Sequence, residues 1–194
     1  MGKENIVNGS YSFAAGLSNT TQAMYDVALG RGNTILDKNG VALGYANTLN
    51  NNFNVAIGRN NTTSNSDAKA IGYNNNVSGA HAIAVGRDNV VSGTSSTALG
   101  IGLIASNAYQ LVEGKYNIED TENKYIYIMG NGASASARSN AYTLDENGNA
   151  WFAGDIEIGP NNNKLATEEY VDNILANSPV GGTQVTLYVW EEND

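Results

Sequence analysis

The sequence holds few side chains that could carry out chemistry, and they are not spaced as a catalytic or metal-binding set. The single histidine, His81, stands between two alanines, and cysteine is absent. Without cysteine, neither a disulfide framework nor a thiolate metal site can form. No GxSxG, P-loop or HExxH pattern occurs. We therefore expect that the protein is not an enzyme and that it binds no metal and no cofactor.

Pairs of acidic residues are the remaining catalytic candidates. Glu119 and Asp120 fall in a predicted loop, and Glu168 and Glu169 fall at the start of a predicted helix, where carboxylates favour the positive end of the helix dipole. A glycosidase requires two carboxylates placed across a cleft. Neither sequence context predicts such a cleft, so we interpret both pairs as structural.

A second candidate site is a column of alternating arginine and tyrosine at a spacing of fourteen residues, consisting of Arg31, Tyr45, Arg59, Tyr73 and Arg87. If these residues stack along a rod, guanidinium groups lie against aromatic rings and like charges avoid direct contact. Such a ladder could bind a host glycan or receptor, or it could stabilise a turn through its own contacts. Its regularity favours the structural interpretation, because a ligand does not need a ladder that runs the whole length of the repeat.

The spacing of this ladder comes from a four-residue phrase that returns every fourteen residues. The phrase is FAAG ending at Gly16, followed by VALG, VALG, VAIG, KAIG, IAVG and finally TALG ending at Gly100. Alternation of large apolar residues with alanine over a short span predicts a β-strand. The repeat glycine permits the positive φ of a tight corner, and an asparagine three residues later would make a further turn. Each unit is therefore predicted to be two short strands and two turns, stacked in parallel.

An unbroken alanine column stands two residues before the repeat glycines, at Ala14, Ala28, Ala42, Ala56, Ala70, Ala84 and Ala98. We expect the bulky residues beside each alanine to fill the interior of the coil. The alanine face would then allow a second backbone to approach closely. Because a thin roll has too small an interior to be stable alone, we predict that this alanine face is the seam of a homotrimer.

Seven phrases in register resemble the YadA-like head repeats of trimeric autotransporter adhesins. The resemblance covers about residues 5–107. It implies a left-handed parallel β-roll that assembles as a trimer. We accordingly assign residues 1–107 to a β-roll repeat domain.

Three further regions follow the repeat. Residues 108–160 predict a hairpin-rich, trimeric antiparallel β domain, residues 161–178 a short helical connector, and residues 179–194 a C-terminal strand. The loop at 145–149 alternates aspartate and asparagine but lacks the closing glutamate of a calcium loop, so we interpret it as a hairpin turn. The segment 138–159 and the phrase LATEEYVD resemble tail-fibre and other virion proteins of bacteriophages that infect Gram-positive bacteria.

The charge distribution argues against nucleic acid as a partner. The formal charge is −9; residues 1–100 carry 6 basic and 5 acidic side chains, whereas residues 101–194 carry 4 basic and 14 acidic. No basic groove can form on such surfaces.

No stretch approaches membrane-spanning length, so we expect no membrane insertion. The N-terminal residues contain no apolar run of signal-peptide length and the C-terminal residues no barrel segment, which favours a phage protein over an autotransporter.

Together these features predict an all-β, non-enzymatic homotrimer that serves as a fibre or adhesin-type protein of a bacteriophage virion, on the tail or on the head. Its expected partners are its own copies, other virion proteins, and a host cell-surface glycan or protein. Two alternatives remain open. The chain could be a fragment of a trimeric adhesin on a bacterial cell surface, or the spacer region of a virion-associated polysaccharide depolymerase.

Overall fold

The computed structural model describes residues 2–154 together with Glu157–Ile158 and Asn163–Lys164. Regular structure in these residues consists of β-strands, without a helix. The strands are β1 (Gly2–Lys3), β2 (Ile6–Val7), β3 (Phe13–Leu17), β4 (Thr20–Thr21), β5 (Val27–Arg31), β6 (Thr34–Ile35), β7 (Val41–Tyr45), β8 (Thr48–Leu49), β9 (Val55–Arg59), β10 (Thr62–Thr63), β11 (Lys69–Tyr73), β12 (Asn76–Val77), β13 (Ile83–Arg87), β14 (Val90–Val91), β15 (Thr97–Ile101), β16 (Ile104–Ala105), β17 (Leu111–Lys115), β18 (Tyr125–Asn131), β19 (Asn140–Asp145), β20 (Ala150–Phe152), β21 (Glu157–Ile158) and β22 (Asn163–Lys164).

Long and short strands alternate along the chain and form two separate sheets. The long strands β1, β3 and so on to β17 lie side by side and continue into β18, β19 and β20 as a twelve-stranded sheet, while β2 to β16 form an eight-stranded sheet. Neighbouring long strands pair in parallel with a shift of one repeat, as in the pairs Ala56 with Ala70 and Gly58 with Gly72. The prediction of an all-β fold with parallel coils of fourteen residues is confirmed. The structure is a parallel β-solenoid.

The solenoid extends beyond both ends of the seven phrases. At the start, β1 and β2 pair in parallel with β3 and β4, which supplies a first coil. At the other end, β17 pairs in parallel with β15, and β18 pairs in parallel with β17. The parallel sheet therefore has no break at residue 107, where we placed a domain boundary.

An antiparallel hairpin closes the long sheet, as the sequence predicted. Strand β18 pairs antiparallel with β19, and β19 pairs antiparallel with β20. Residues 1–153 form one compact unit and residues 154–194 a second one, in which β21 and β22 form an antiparallel pair. Apart from β22, the predicted helical connector and the predicted C-terminal strand lie outside the described residues.

The alanine column faces the inside of the solenoid. Ala14 is 4% exposed, and the other members are 0% exposed within a single chain, namely Ala28, Ala42, Ala56, Ala70, Ala84 and Ala98. The prediction that this column is a trimer seam is therefore wrong, because a side chain already buried in its own chain cannot contact a neighbouring subunit. The inward alanines cluster with larger side chains of the short strands, such as Ile35 and Leu49. Only a methyl group fits opposite those side chains in so thin a coil.

The asparagines three residues after the repeat glycine are also inside. They form a continuous side-chain ladder instead of the turn that was predicted for them. The Nδ2 of Asn61 donates to Asn47 Oδ1 at 3.1 Å and to the Gly72 carbonyl at 2.9 Å. The Oδ1 of Asn61 accepts from the backbone N–H of Asn75 at 3.1 Å and from its Nδ2 at 3.0 Å. The ladder starts at Asn5, which accepts from Asn19. Its buried members, each no more than 1% exposed, are Asn19, Asn33, Asn47, Asn61, Asn75 and Asn89.

Each coil turns at two corners where φ is positive. The first corner lies two residues after the repeat glycine, at Ser18, Gly32, Ala46, Asn60, Asn74, Asp88 and Gly102. The second corner lies five residues before the repeat glycine, at Tyr11, Tyr25, Asn39, Phe53, Asp67, His81, Ser95 and Tyr109. Its backbone N–H groups donate to the preceding coil, as from Phe53 to the Lys38 carbonyl at 3.2 Å. Both corners are therefore fixed from coil to coil by the backbone.

The repeat glycines are required by a close approach between coils. Gly58 has φ 115°, and a Cβ at this position would lie 2.0 Å from the Gly72 carbonyl oxygen. Backbone atoms cannot move aside as a flexible side chain can, and L-residues rarely adopt this φ. Glycine is thus the residue that lets consecutive coils stack at this point.

We expect Gly58→Ala to lower the free energy of unfolding by about 2–5 kcal/mol, because the added methyl meets backbone at a strained φ. Gly32→Ala is the matched control, since the space around Gly32 is open and Ala46 occupies the same corner one coil later. The control should change stability by less than about 1 kcal/mol. Urea denaturation of both variants measures the difference. Equal losses would contradict the close-approach argument.

We expect Asn61→Ala to destabilise the protein by about 3 kcal/mol or more, because it removes the ladder partners of the Gly72 carbonyl and of the Asn75 backbone N–H, and each unsatisfied buried group costs about 1–3 kcal/mol. Asn50→Ala is the control: Asn50 is exposed and donates only a 3.4 Å bond to Ser64 Oγ. Its loss should stay within about 0.5 kcal/mol. Similar denaturation midpoints for the two variants would show that the ladder does not stabilise the fold.

Candidate functional site

The structure brings the arginine–tyrosine ladder together as a continuous column. Each member is the last residue of a long strand, and Arg31 pairs with Tyr45, Tyr45 with Arg59, and Tyr73 with Arg87 across adjacent strands. The Arg31 Cζ lies 5.7 Å from the Tyr45 ring centroid, within the range of a cation–π contact. The members that the sequence selected are therefore neighbours in space.

The contacts of the ladder are directed to its own members and to the adjoining corner. The Arg59 Cζ lies 4.4 Å from the Tyr73 ring centroid. Arg87 instead forms an ion pair with Asp88, with 3.3 Å between Nε and Oδ2. These contacts favour the structural interpretation of the ladder, because Arg31, Arg59 and Arg87 each have a partner within the repeat.

The face of the long sheet that points away from the buried alanines is exposed, and we call it the outer sheet face. It consists of the residues three before and one before each repeat glycine. Its large apolar members are Phe13, Val27, Leu29, Val41, Leu43, Val55, Ile57, Ile71, Ile83, Val85, Leu99, Leu111 and Met129, all half-buried or exposed in a single chain. We expected these bulky residues to fill the interior of the coil. They point outwards instead, because the inward position between them takes the alanine.

The outer sheet face is predominantly apolar along the solenoid. Phe13 at one end is 48% exposed, Ile57 in the middle is 37% exposed, and Met129 at the other end is 38% exposed. Lys69, Thr97 and Glu113 interrupt the apolar columns. The Lys69 Nζ donates to the Asp67 carbonyl at 3.0 Å. An exposed surface with this many large apolar side chains is typical of an interaction surface.

A tyrosine–glutamate contact marks the C-terminal end of the outer sheet face. The hydroxyl of Tyr127 donates a hydrogen bond to the Glu113 carboxylate. Burial of the ring and this hydrogen bond raise the pKa of Tyr127 to about 12. The neutral phenol is thereby favoured in the folded state.

The hairpin turn at the end of the long sheet contains the alternating acidic and amide residues that resemble a calcium loop. The Asp145 Oδ1 accepts from the backbone N–H groups of Asn147 and Asn149, and Oδ2 accepts from Asn149 Nδ2. The hydrogen bonds from Asn149 lower the pKa of Asp145 below its usual range. Its carboxylate is thus occupied by the turn itself, which agrees with the interpretation as turn chemistry.

No further chemical centre is found among the residues that the structure describes. These residues contain no group of three or more His, Cys, Asp or Glu side chains that could hold a metal ion. Within the same residues, no helix is long and apolar enough to cross a membrane. His81 lies on the second corner, with its Nδ1 3.7 Å from Asp67 Oδ2.

Comparison with protein-family models and with curated proteins gives no match to this sequence. The interpretation of the site therefore rests on its geometry and on the resemblance of the repeats.

Sequence reasoning missed the outer sheet face and the second corner. The signal for the outer sheet face was present, since the phrase alternates large residues with alanine, but alternation does not tell which of two faces is inside. The signal for the second corner was weaker. Its residues range from tyrosine to aspartate and serine, so no single residue type marks the position.

We expect the ultraviolet tyrosinate titration to contain one component near pH 12 that is lost in Tyr127→Phe. A raised pKa means that the contact stabilises the fold fully below about pH 10, the ordinary tyrosine value, and less as the pH rises towards 12. Glu113→Gln should lower the midpoint of this component, because it removes the neighbouring negative charge. Identical titration curves for the wild type and Tyr127→Phe would contradict the assignment.

Proposed function

We propose that this protein is a non-enzymatic, homotrimeric fibre protein of a bacteriophage virion that holds a β-solenoid out from the particle for attachment to a host surface. The observation that carries the proposal is the outer sheet face. Its apolar columns run along the solenoid and lack a covering layer in the described chain. Three copies pressed together along this face would bury these columns and form one rigid rod.

The energetic argument for self-association is the thinness of each coil. The interior of a single solenoid holds mainly alanine on one side and one medium-sized residue per coil on the other. Burial of apolar surface stabilises by about 25 cal/mol per Å², so an interior of methyl groups contributes little per residue. Contact between subunits would bury the larger side chains of the outer sheet face, such as Leu29, Ile57 and Leu99, and so add the apolar burial that the interior lacks.

The outer sheet face is also suited to copies of the same chain. Its residues repeat at the coil spacing, so a neighbouring solenoid presents the same periodicity, and large side chains can interdigitate along the whole length. The resemblance to YadA-like head repeats implies that the number of copies is three and that the coil is left-handed.

The phage assignment is supported by the resemblance of residues 138–159 to virion proteins, and the alternative is a trimeric adhesin on a bacterial cell surface. A non-enzymatic role is supported by the regular, nearly uncharged solenoid, which offers no pair of carboxylates across a cleft among the described residues. Other virion proteins would anchor the rod, and a host glycan or protein would be its target. The low basic content of the surface is unsuited to nucleic acid.

We expect the wild type to sediment at three times the mass of the 20.4 kDa chain in analytical ultracentrifugation at micromolar concentration. Ile57→Glu should shift the protein towards monomers, because assembly would bury three carboxylates against apolar side chains. Ser78→Glu is the control, since Ser78 is exposed directly after the short strand β12, away from the outer sheet face, and its substitution should leave the trimer intact.

A monomeric wild type would contradict self-association, and a dimer would contradict the number three. Circular dichroism of Ile57→Glu separates loss of assembly from loss of fold. A variant that keeps its β-signal and still sediments as a trimer would show that the outer sheet face is not the interface.

A further inference from the structure

The second corner carries aromatic residues where its backbone favours small polar ones. The occupants include Tyr25 at φ 66°, Phe53 at φ 57° and Tyr109 at φ 60°. The left-handed region is comfortable for asparagine, aspartate and glycine but unfavourable for bulky side chains. Asn39 and Asp67 occupy the same corner in intervening coils, so the corner itself does not require an aromatic ring.

Burial does not compensate for this strain. Tyr11 is 82% exposed, Tyr109 is 76% exposed, and Tyr25 and Phe53 are each 53% exposed. Tyr11 and Tyr25 stack on each other, with ring centroids 5.4 Å apart and planes inclined by 8°. Among the described residues, the rings of Phe53 and Tyr109 have no aromatic partner. Strained backbone that stability does not explain is characteristic of ligand-binding positions.

The polar groups of the corner are also available. Within the described part of the chain, the hydroxyls of Tyr11, Tyr25 and Tyr109 have no hydrogen-bond partner, and each can donate and accept. Asn39 stands between Tyr25 and Phe53, which lie two coils apart, or about 10 Å at the usual strand spacing. The corner therefore presents apolar ring surfaces at intervals, separated by hydrogen-bonding groups.

We propose that the second corner binds a polysaccharide that lies along the solenoid, with sugar rings packed against Tyr25, Phe53 and Tyr109. A pyranose presents C–H groups on its faces and hydroxyls at its edge, which matches rings interleaved with tyrosine hydroxyls and amides. A protein partner fits less well, because its binding centre needs a contiguous dehydrated cluster, and here polar residues separate the rings. This inference deepens the proposed function by naming the ligand class for host attachment.

The test compares the full-length wild type with Phe53→Asn/Tyr109→Asn and with Tyr25→Asn by retention on immobilised β-glucan, mannan, galactan and chitin. We expect the wild type to bind at least one of these neutral polysaccharides. The double variant should lose affinity by tenfold or more, and Tyr25→Asn by a smaller factor. Tyr45→Asn is the matched control: it makes the same change on the arginine–tyrosine ladder and should leave retention unchanged.

A stability measurement separates binding from a structural role. Asparagine relieves the left-handed strain, so the double variant should melt at the same temperature as the wild type or higher. A lower melting temperature, a wild type that binds none of the four polysaccharides, or variants that bind as well as the wild type would each overturn the inference.

The same samples keep this inference distinct from the proposed function. Sedimentation of each variant reports the trimer, and a monomer that still binds polysaccharide would overturn the trimer while leaving the corner site in place. Saccharide released from the bound polysaccharide would instead overturn the non-enzymatic role. A trimer without polysaccharide binding would overturn the corner site alone.

Discussion

The structure depends on hydrogen bonds that join each coil to the next at the same two places, the strands and the turns. Backbone hydrogen bonds join the strands. The buried asparagine ladder joins the turns, because the thin apolar interior alone could not stabilise them. An amide side chain satisfies these contacts because it donates twice and accepts twice. The ladder begins at Asn5, whose Oδ1 accepts from Asn19 Nδ2 at 3.0 Å. It ends where Asn89 Oδ1 accepts from the Leu103 backbone N–H at 2.9 Å. Every coil therefore relies on its neighbours, which makes the solenoid rigid along its axis.

This dependence explains why the protein can carry its interaction surfaces in columns. Once the coil height is fixed by hydrogen bonds, any outward position repeats at the same spacing, whatever residue occupies it. The outward positions of the outer sheet face hold apolar side chains. Those of the arginine–tyrosine ladder form cation–π contacts, such as that of Arg59 with Tyr73, and those of the second corner hold exposed aromatic rings. A structural scaffold and three chemically different surfaces thus coexist in one short repeat.

The sequence predicted the coil, its length and the strand–turn order, because a strict period leaves few ways to pair strands. It also predicted the hairpin turn at residues 145–149, because turn chemistry is local. The sequence did not predict which side of the long strand faces inwards, because the alternation of Val55, Ala56 and Ile57 fits either orientation. It also did not predict that Asn61 is a buried ladder residue, because asparagine is common in turns.

What the sequence by itself determined is the repeat: glycine at the close approach, apolar alternation in the long strand, and one hydrogen-bonding residue per turn. What only the tertiary structure decided is the direction of each side chain. The distance between the two sheets sets this direction, because an interior that already holds Ile35 and Leu49 leaves room only for a methyl group such as that of Ala42. The larger residues must then face outwards, where they form the surface that we propose joins the subunits.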